Sequence, residues 1–410
     1  MTKTEIKYLV GVYACAACFM AMLCPVPVIA QIAMTFPDAD IVLVQMIVAM
    51  PSLLMAFAGM AVSGFLAHRF YKKHVAMVCF IVFMLGGLMP LILHDNIYEL
   101  LISSAIVGIG LGGLQNSSDA LLADYFVDKK RSVAMGLFST FVGLGGVMWT
   151  LLSANLGATN WVMAYASYLV MIPFIIVAVI CLPKGKIEPK REVNVFRNIP
   201  RQVWAVFVFC FVIMAVVQLF NTNSSLLVDL RGFGGPIQAG WATTATTIAG
   251  IVAGLLVGPA FSFFKNRAIP IMFCVIAIGF AIVLAAPGIW VLVIGGFILS
   301  LGKEMCVPLT GNYTAGNSNN AGRAFNLAFA QAGNSLGMAF SPMIFGAAAA
   351  PFGDTIEAKF IIGIVIAVIL AVIGFKYFWK LTPKQIEERE KGLAAIDDDL
   401  AEAEGTAAGI

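Results

Sequence analysis

Charge is scarce in this 410-residue sequence: 11% of its residues are Asp, Glu, Lys or Arg, against 60% hydrophobic and a mean hydropathy of +0.94. A soluble domain is about half apolar and about a quarter charged. Too few charges exist to build a water-facing shell, which excludes an ordinary cytosolic enzyme, a disordered chain and a nucleic-acid binder. Histidine is rarer still, with His68, His74 and His94 the three present, all at the edges of apolar runs. No H-E-x-x-H, G-x-S-x-G or paired intramembrane carboxylate occurs, and no nucleotide loop, so neither enzyme chemistry nor a cofactor or metal site is expected. The run Gly108-Ile-Gly-Leu-Gly-Gly113 follows no strand and reads as close helix packing. All eight cysteines (15, 18, 24, 79, 181, 210, 274 and 306) fall in apolar runs. They read as small packing residues rather than a disulfide framework or, for Cys15 and Cys18, a redox pair.

What is abundant is apolar runs long enough to cross a bilayer, about 20 residues each. Twelve are found, at about 8–35, 41–67, 74–93, 100–122, 133–156, 161–182, 202–225, 238–264, 269–286, 289–312, 324–350 and 358–380. They are uniformly apolar rather than alternating, which favours helices over barrel strands. No small-residue cleavage site follows the first run, so it is read as a span and not as a signal peptide. Basic residues crowd every second connection: Arg69, Lys72 and Lys73; Lys129, Lys130 and Arg131; six between Lys184 and Arg201; Lys265 and Arg267; Arg323; and the C-terminal tail. The alternate connections hold only Arg231 and Lys359. The positive-inside rule therefore predicts both termini on the cytoplasmic side of a cell membrane (plasma or inner).

The longest hydrophilic connection separates two sets of six spans. The division predicts an N-terminal bundle (1–182), a cytoplasmic central loop (183–201), a C-terminal bundle (202–380) and a charged cytoplasmic tail (381–410). The sets echo one another. Gly64 and Gly258 are 194 residues apart, as are Lys73 and Arg267; Arg131 and Arg323 are 192 apart, as are Gly145 and Gly337. Internal repeats of this kind build rocking secondary transporters, with the solute site near the midplane between them.

The stretch Gly64-Phe-Leu-Ala-His-Arg-Phe-Tyr-Lys-Lys73 resembles the loop motif of the major facilitator superfamily, G-x-L-a-D-R-x-G-r-[KR], matching at Gly64, Leu66, Arg69 and Lys73. Ala123–Gly136 leading into the fifth span and Pro25-Val-Pro27 with Phe36-Pro37 at the end of the first are similar to family segments too. The resemblance implies an all-α polytopic fold of twelve transmembrane helices in two pseudo-symmetric six-helix bundles, working by alternating access. It also implies a cytoplasmic gate, assigned to Arg69, Lys73, Asp124, Arg131 and Arg323. Three departures stand out: His68 replaces the motif's acid, Tyr71 replaces its glycine, and Phe141-Val-Gly-Leu-Gly-Gly146 lacks the Gly-Pro of proton-coupled drug exporters.

Ionisable groups inside spans are functional candidates. Lys303 and Glu304 stand about 20 Å into the tenth span at 1.5 Å per residue. Pointing about 100° apart, they are not expected to pair as i,i+4 neighbours do. Lys303 is the candidate anchor for an anionic group, and Glu304 and Asp119 are the candidate proton carriers. Amides at helical spacing give the rest of the solute path: Gln115 and Asn116, Gln218 and Asn221, Gln331 and Asn334, with Trp149 as a stacking surface. The expected activity is secondary transport of a small organic anion with protons, by a monomer in the lipid bilayer. The alternative is proton-antiporting export of drug-like or cationic compounds.

Overall fold

The computed structural model of the chain describes residues 3–62, 66, 69–126, 128–185, 187, 201–264, 267–316 and 323–379. The loop-motif residues Gly64 and His68, most of the central loop and the tail 381–410 lie outside the described residues. So do the side chains of Arg131 and Arg323.

Among the described residues twelve helical segments run in order: α1 (Lys3–Thr35), α2 (Ile41–Ala61), α3 (Lys72–Leu91), α4 (Ile97–Tyr125), α5 (Asp128–Leu156), α6 (Trp161–Cys181), α7 (Arg201–Leu230), α8 (Pro236–Phe264), α9 (Ala268–Leu284), α10 (Ile289–Gly316), α11 (Arg323–Ala349) and α12 (Ile356–Trp379). Eleven are long and apolar enough to span a bilayer, and α9 is a shorter apolar helix. No strand occurs among the described residues. The chain is thus an all-α polytopic membrane protein.

Helix starts follow local chemistry. Asp40 accepts from the Val42 amide at 2.9 Å, and Asn160 from that of Val162 at 3.0 Å. Asn96 and Glu99 form a reciprocal capping box at the start of α4. Each cap satisfies amides that a helix N-terminus leaves without intrahelical partners. At the end opposite the chain termini, Arg231 after α7 and Lys359 in α12 each meet an acid. Arg231 meets Glu357 at 3.7 Å, and the buried Lys359 meets Asp354 at 3.0 Å.

Packing repeats after six helices. In the first half α4 lies against α2 and α3, and α1 against α5 and α6; in the second, α10 lies against α8 and α9, and α7 against α11 and α12. Buried side chains form one large cluster from Leu9 to Leu182 and a second from Ile213 to Ala371. Glycines make the repetition concrete. Gly145 of α5 abuts the Ala17 carbonyl of α1, and Gly337 of α11 abuts the Phe211 carbonyl of α7, each too closely for a Cβ. A Cβ on Gly86 would lie 2.8 Å from the Val107 nitrogen, and one on Gly279 2.5 Å from that of Leu299. Small residues let helix backbones approach where lipid gives no hydrophobic drive to associate.

Candidate functional site: the path between the two halves

The halves meet mainly along α5 with α8 and α2 with α11, and also where α1 touches α7 and α8 and α2 touches α7. The α5–α8 seam is knitted from the end opposite the termini inward. A Cβ on Gly240 would collide with the Ala154 side chain, the Thr150 and Thr244 hydroxyls share a hydrogen bond of 2.9 Å, Thr247 fills the space over Gly146, and Ile251 lies 2.6 Å from a Cβ on Gly143. One to two turns further toward the termini, the same two faces part. Cβ positions on Gly136 and Gly254 have nothing within 4 Å, Ser139 and Thr140 are exposed, and Leu255 is 76% exposed. The halves are therefore closed on one another at the far end and diverge at the terminus end.

Lys303 and Glu304 stand on α10 and form an ion pair of 2.5 Å. The two pair across adjacent positions rather than in the i,i+4 manner. The lysine's four methylenes and the glutamate's two are long enough to bend together across adjacent positions, and neither meets another counter-charge among the described residues. The side chains keep 21% and 33% of their exposure, so the pair is accessible rather than sealed. The Glu304 side chain reaches over α8 at Gly250, where a Cβ would touch its Cγ and carboxyl group at 3.5–3.9 Å.

The amides group as neighbours on their own helices. Asn221 donates to Gln218 Oε1 at 3.2 Å, and Asn334 to Gln331 Oε1 at 2.5 Å. Gln218 is buried, and its Nε2 has no hydrogen-bond partner among the described residues. Gln331 is exposed; Gln115, Asn116 and Asn334 are half-buried. Asp119 is half-buried one turn beyond Gln115 and makes no ion pair among the described residues. Trp149 is placed differently: it is fully buried and its indole N–H is committed to the Ala17 carbonyl at 2.7 Å. That is a packing position between α5 and α1, with no ring face offered to a path. The cysteines are all free and most are buried.

At the terminus end, Asp124 of α4 pairs with the buried Lys72 of α3 at 3.0 Å. Lys73 donates to the Val179 carbonyl of α6 at 2.7 Å. Both contacts stay inside the first half, so Lys73 ties α3 to α6 rather than to the second half. Lys72 was not among the expected gate residues, and its position beside Lys73 in a basic run concealed which of the two turns inward. Two further residues were missed, Gln45 and Asn223. The Gln45 amide donates to Asn223 Oδ1 at 2.7 Å across the halves, with both side chains buried. Gln45 is the one amide in the apolar run of α2, which was the available signal.

A membrane protein with twelve described helices, a repeated half, a closed far end and a charged pair midway along a helix has the build of a polytopic carrier. The family model of the Major Facilitator Superfamily matches residues 9–237 and 233–397, and the chain belongs to that superfamily. No curated protein sequence matches it. Among solved structures, it is similar to a bacterial homologue of the human lysosomal transporter Spinster in its inward-facing, unoccupied conformation (16% identity, 95% of this chain and 99% of that one, TM-score 0.73). It is similar too to an auto-inhibited POT family peptide transporter (12% identity, 92% and 97%, TM-score 0.70). The nucleoside transporter NupG is a third (13% identity, 91% and 100%, TM-score 0.71). At these identities the likeness establishes the fold alone.

Proposed function

We propose that the chain is an alternating-access secondary transporter that moves a small organic anion together with protons. Residues 1–182 and 202–380 are the two rocking bodies, and the terminus end faces the cytoplasm. The basic bias of that end supports this orientation in a plasma or inner membrane, since Arg231 and Lys359 at the opposite end are paired with acids. The working unit is a monomer, because each chain carries both halves of the path.

The observation that carries the solute class is the accessible Lys303–Glu304 pair. Empty, the pair is neutral. An anion that takes Lys303 displaces Glu304, and an isolated carboxylate inside a span is costly. Binding a proton restores neutrality: Lys303 then holds the anion and Glu304 is the neutral acid. The loaded site thus crosses with no net charge, one proton for each monoanionic solute. Gln218, whose Nε2 has no partner among the described residues, and Asn221, Gln331, Asn334, Gln115 and Asn116 supply hydrogen bonds to the solute's polar atoms. Asp119, which makes no ion pair among the described residues, favours the second reading, in which export of a cationic compound is exchanged for a proton at Asp119 or Glu304.

The test is lumenal pH in proteoliposomes while a panel of organic anions and cations is added outside. Acidification on adding an anion is expected. Alkalinisation on adding a cation would replace the first reading with the second.

A further inference from the structure

Proline denies α1 a continuous helix near its far end. Pro25 and Pro27 have no amide hydrogen, and the segment passes through 3-10 turns at Phe19–Leu23 and Val26–Val28 before α-helix resumes at Ile29. A break inside a membrane span frees backbone groups that must find partners within the protein. Here the partner comes from the other half of the molecule. The Ser225 hydroxyl of α7 donates to the Pro27 carbonyl at 2.8 Å and accepts from the Ala30 amide at 3.3 Å. One side chain closes both the acceptor and the donor side of the break, and all three residues are buried. Two residues earlier on the same helix, Asn223 accepts from Gln45 of α2. The turn 223–225 of α7 thereby holds α1 and α2 together.

We propose that Ser225 is the latch of the gate at the end opposite the termini, and that the proline break in α1 is its keeper. Opening that end withdraws the hydroxyl from the break and leaves the Pro27 carbonyl and the Ala30 amide to be met by water. The broken helix is thus a well-paired segment only while the far end is shut. The Gln45–Asn223 bond, and Thr150 with Thr244, brace the same closed state. This inference rests on the alternating-access reading, but not on the solute or the coupling ion.

The experiment is hydrogen–deuterium exchange on the full chain in nanodiscs, without solute, for wild type, Ser225→Ala, Ser225→Thr and Gln45→Leu. In Ser225→Ala the segment 26–31 is expected to exchange about five- to tenfold faster, the equivalent of about one buried hydrogen bond. The terminus-end faces 136–140 and 251–256 are expected to exchange more slowly, because the halves come together there as they part at the far end. Ser225→Thr, which keeps the hydroxyl, is expected to match wild type at both places. Faster exchange at 26–31 without the reciprocal slowing would show a local cap only and overturn the latch. So would a reciprocal response in Gln45→Leu with none in Ser225→Ala, which leaves alternating access standing. No reciprocal response in either variant would overturn both. Should Ser225→Ala not fold, Ser225→Cys, with a weaker donor and acceptor of similar size, is read in the same way.

Discussion

Replacing Lys303 by glutamine separates what the Lys303–Glu304 pair does for stability from what it does for transport. At 2.5 Å the gross attraction is about 7 kcal/mol with an effective dielectric of about 20. Desolvation offsets most of that. Exposed pairs are worth about 0–1 kcal/mol, whereas removing one partner of a buried pair costs about 3–5 kcal/mol. With 21% and 33% exposure the pair falls between these limits, so a coupling of about 2 kcal/mol is expected. A double-mutant cycle of Lys303→Gln, Glu304→Gln and both together, read by thermal unfolding in detergent, measures it. The double variant is expected to be more stable than either single one, since no lone charge remains in the span. Counterflow and gradient-driven uptake by the same proteins read the transport roles. Lys303→Gln is expected to abolish both, Glu304→Gln to keep exchange but lose accumulation, and the double variant to stay inactive despite its recovered stability. Wild-type transport by Lys303→Gln would refute the anchor. Full accumulation by Glu304→Gln would remove it from proton coupling, and a coupling energy within the additivity error of about 0.3–0.5 kcal/mol would refute the pair.

Two further outcomes test the packing. Trp149→Phe removes the indole donor from the buried Ala17 carbonyl and is expected to cost about 1–3 kcal/mol of stability, with the solute KM of the folded protein unchanged; an altered KM would place the indole in the path after all. Gly145→Leu and Gly337→Leu each drive a side chain into a neighbouring backbone carbonyl, and both are expected to lower the yield of folded protein severely in expression and size-exclusion assays. A well-folded Gly145→Leu would contradict the close crossing of α1 and α5.

Much of the scaffold was legible residue by residue. The apolar runs located all twelve helices to within a few residues, because a bilayer demands about 20 apolar residues whatever surrounds them. The match of Gly145 with Gly337 was legible too, and for a physical reason: both lie under a helix carbonyl of the preceding pair, where no larger residue fits. The candidate site was legible only as a set of residue types. Lys303 and Glu304 stood out as charges within a span, yet helix geometry alone could not say that two long side chains would fold back on one another. Trp149 has the composition of a stacking surface, and only the burial of its ring and the bond to Ala17 made it a packing residue.

By itself, then, the order of residues determined the apolar runs, the helices they become among the described residues and the alternation of basic charge along the chain. All of these depend on how each short segment partitions between water and hydrocarbon. Tertiary structure alone decided which polar groups meet. Ser225 caps a break 198 residues earlier in the chain, and Gln45 reaches Asn223 across 178 residues. Such contacts depend on how two separately packed halves lean together, and no local pattern records that angle. The same inclination closes the far end of the path and parts α5 from α8 beyond Gly143 and Ile251.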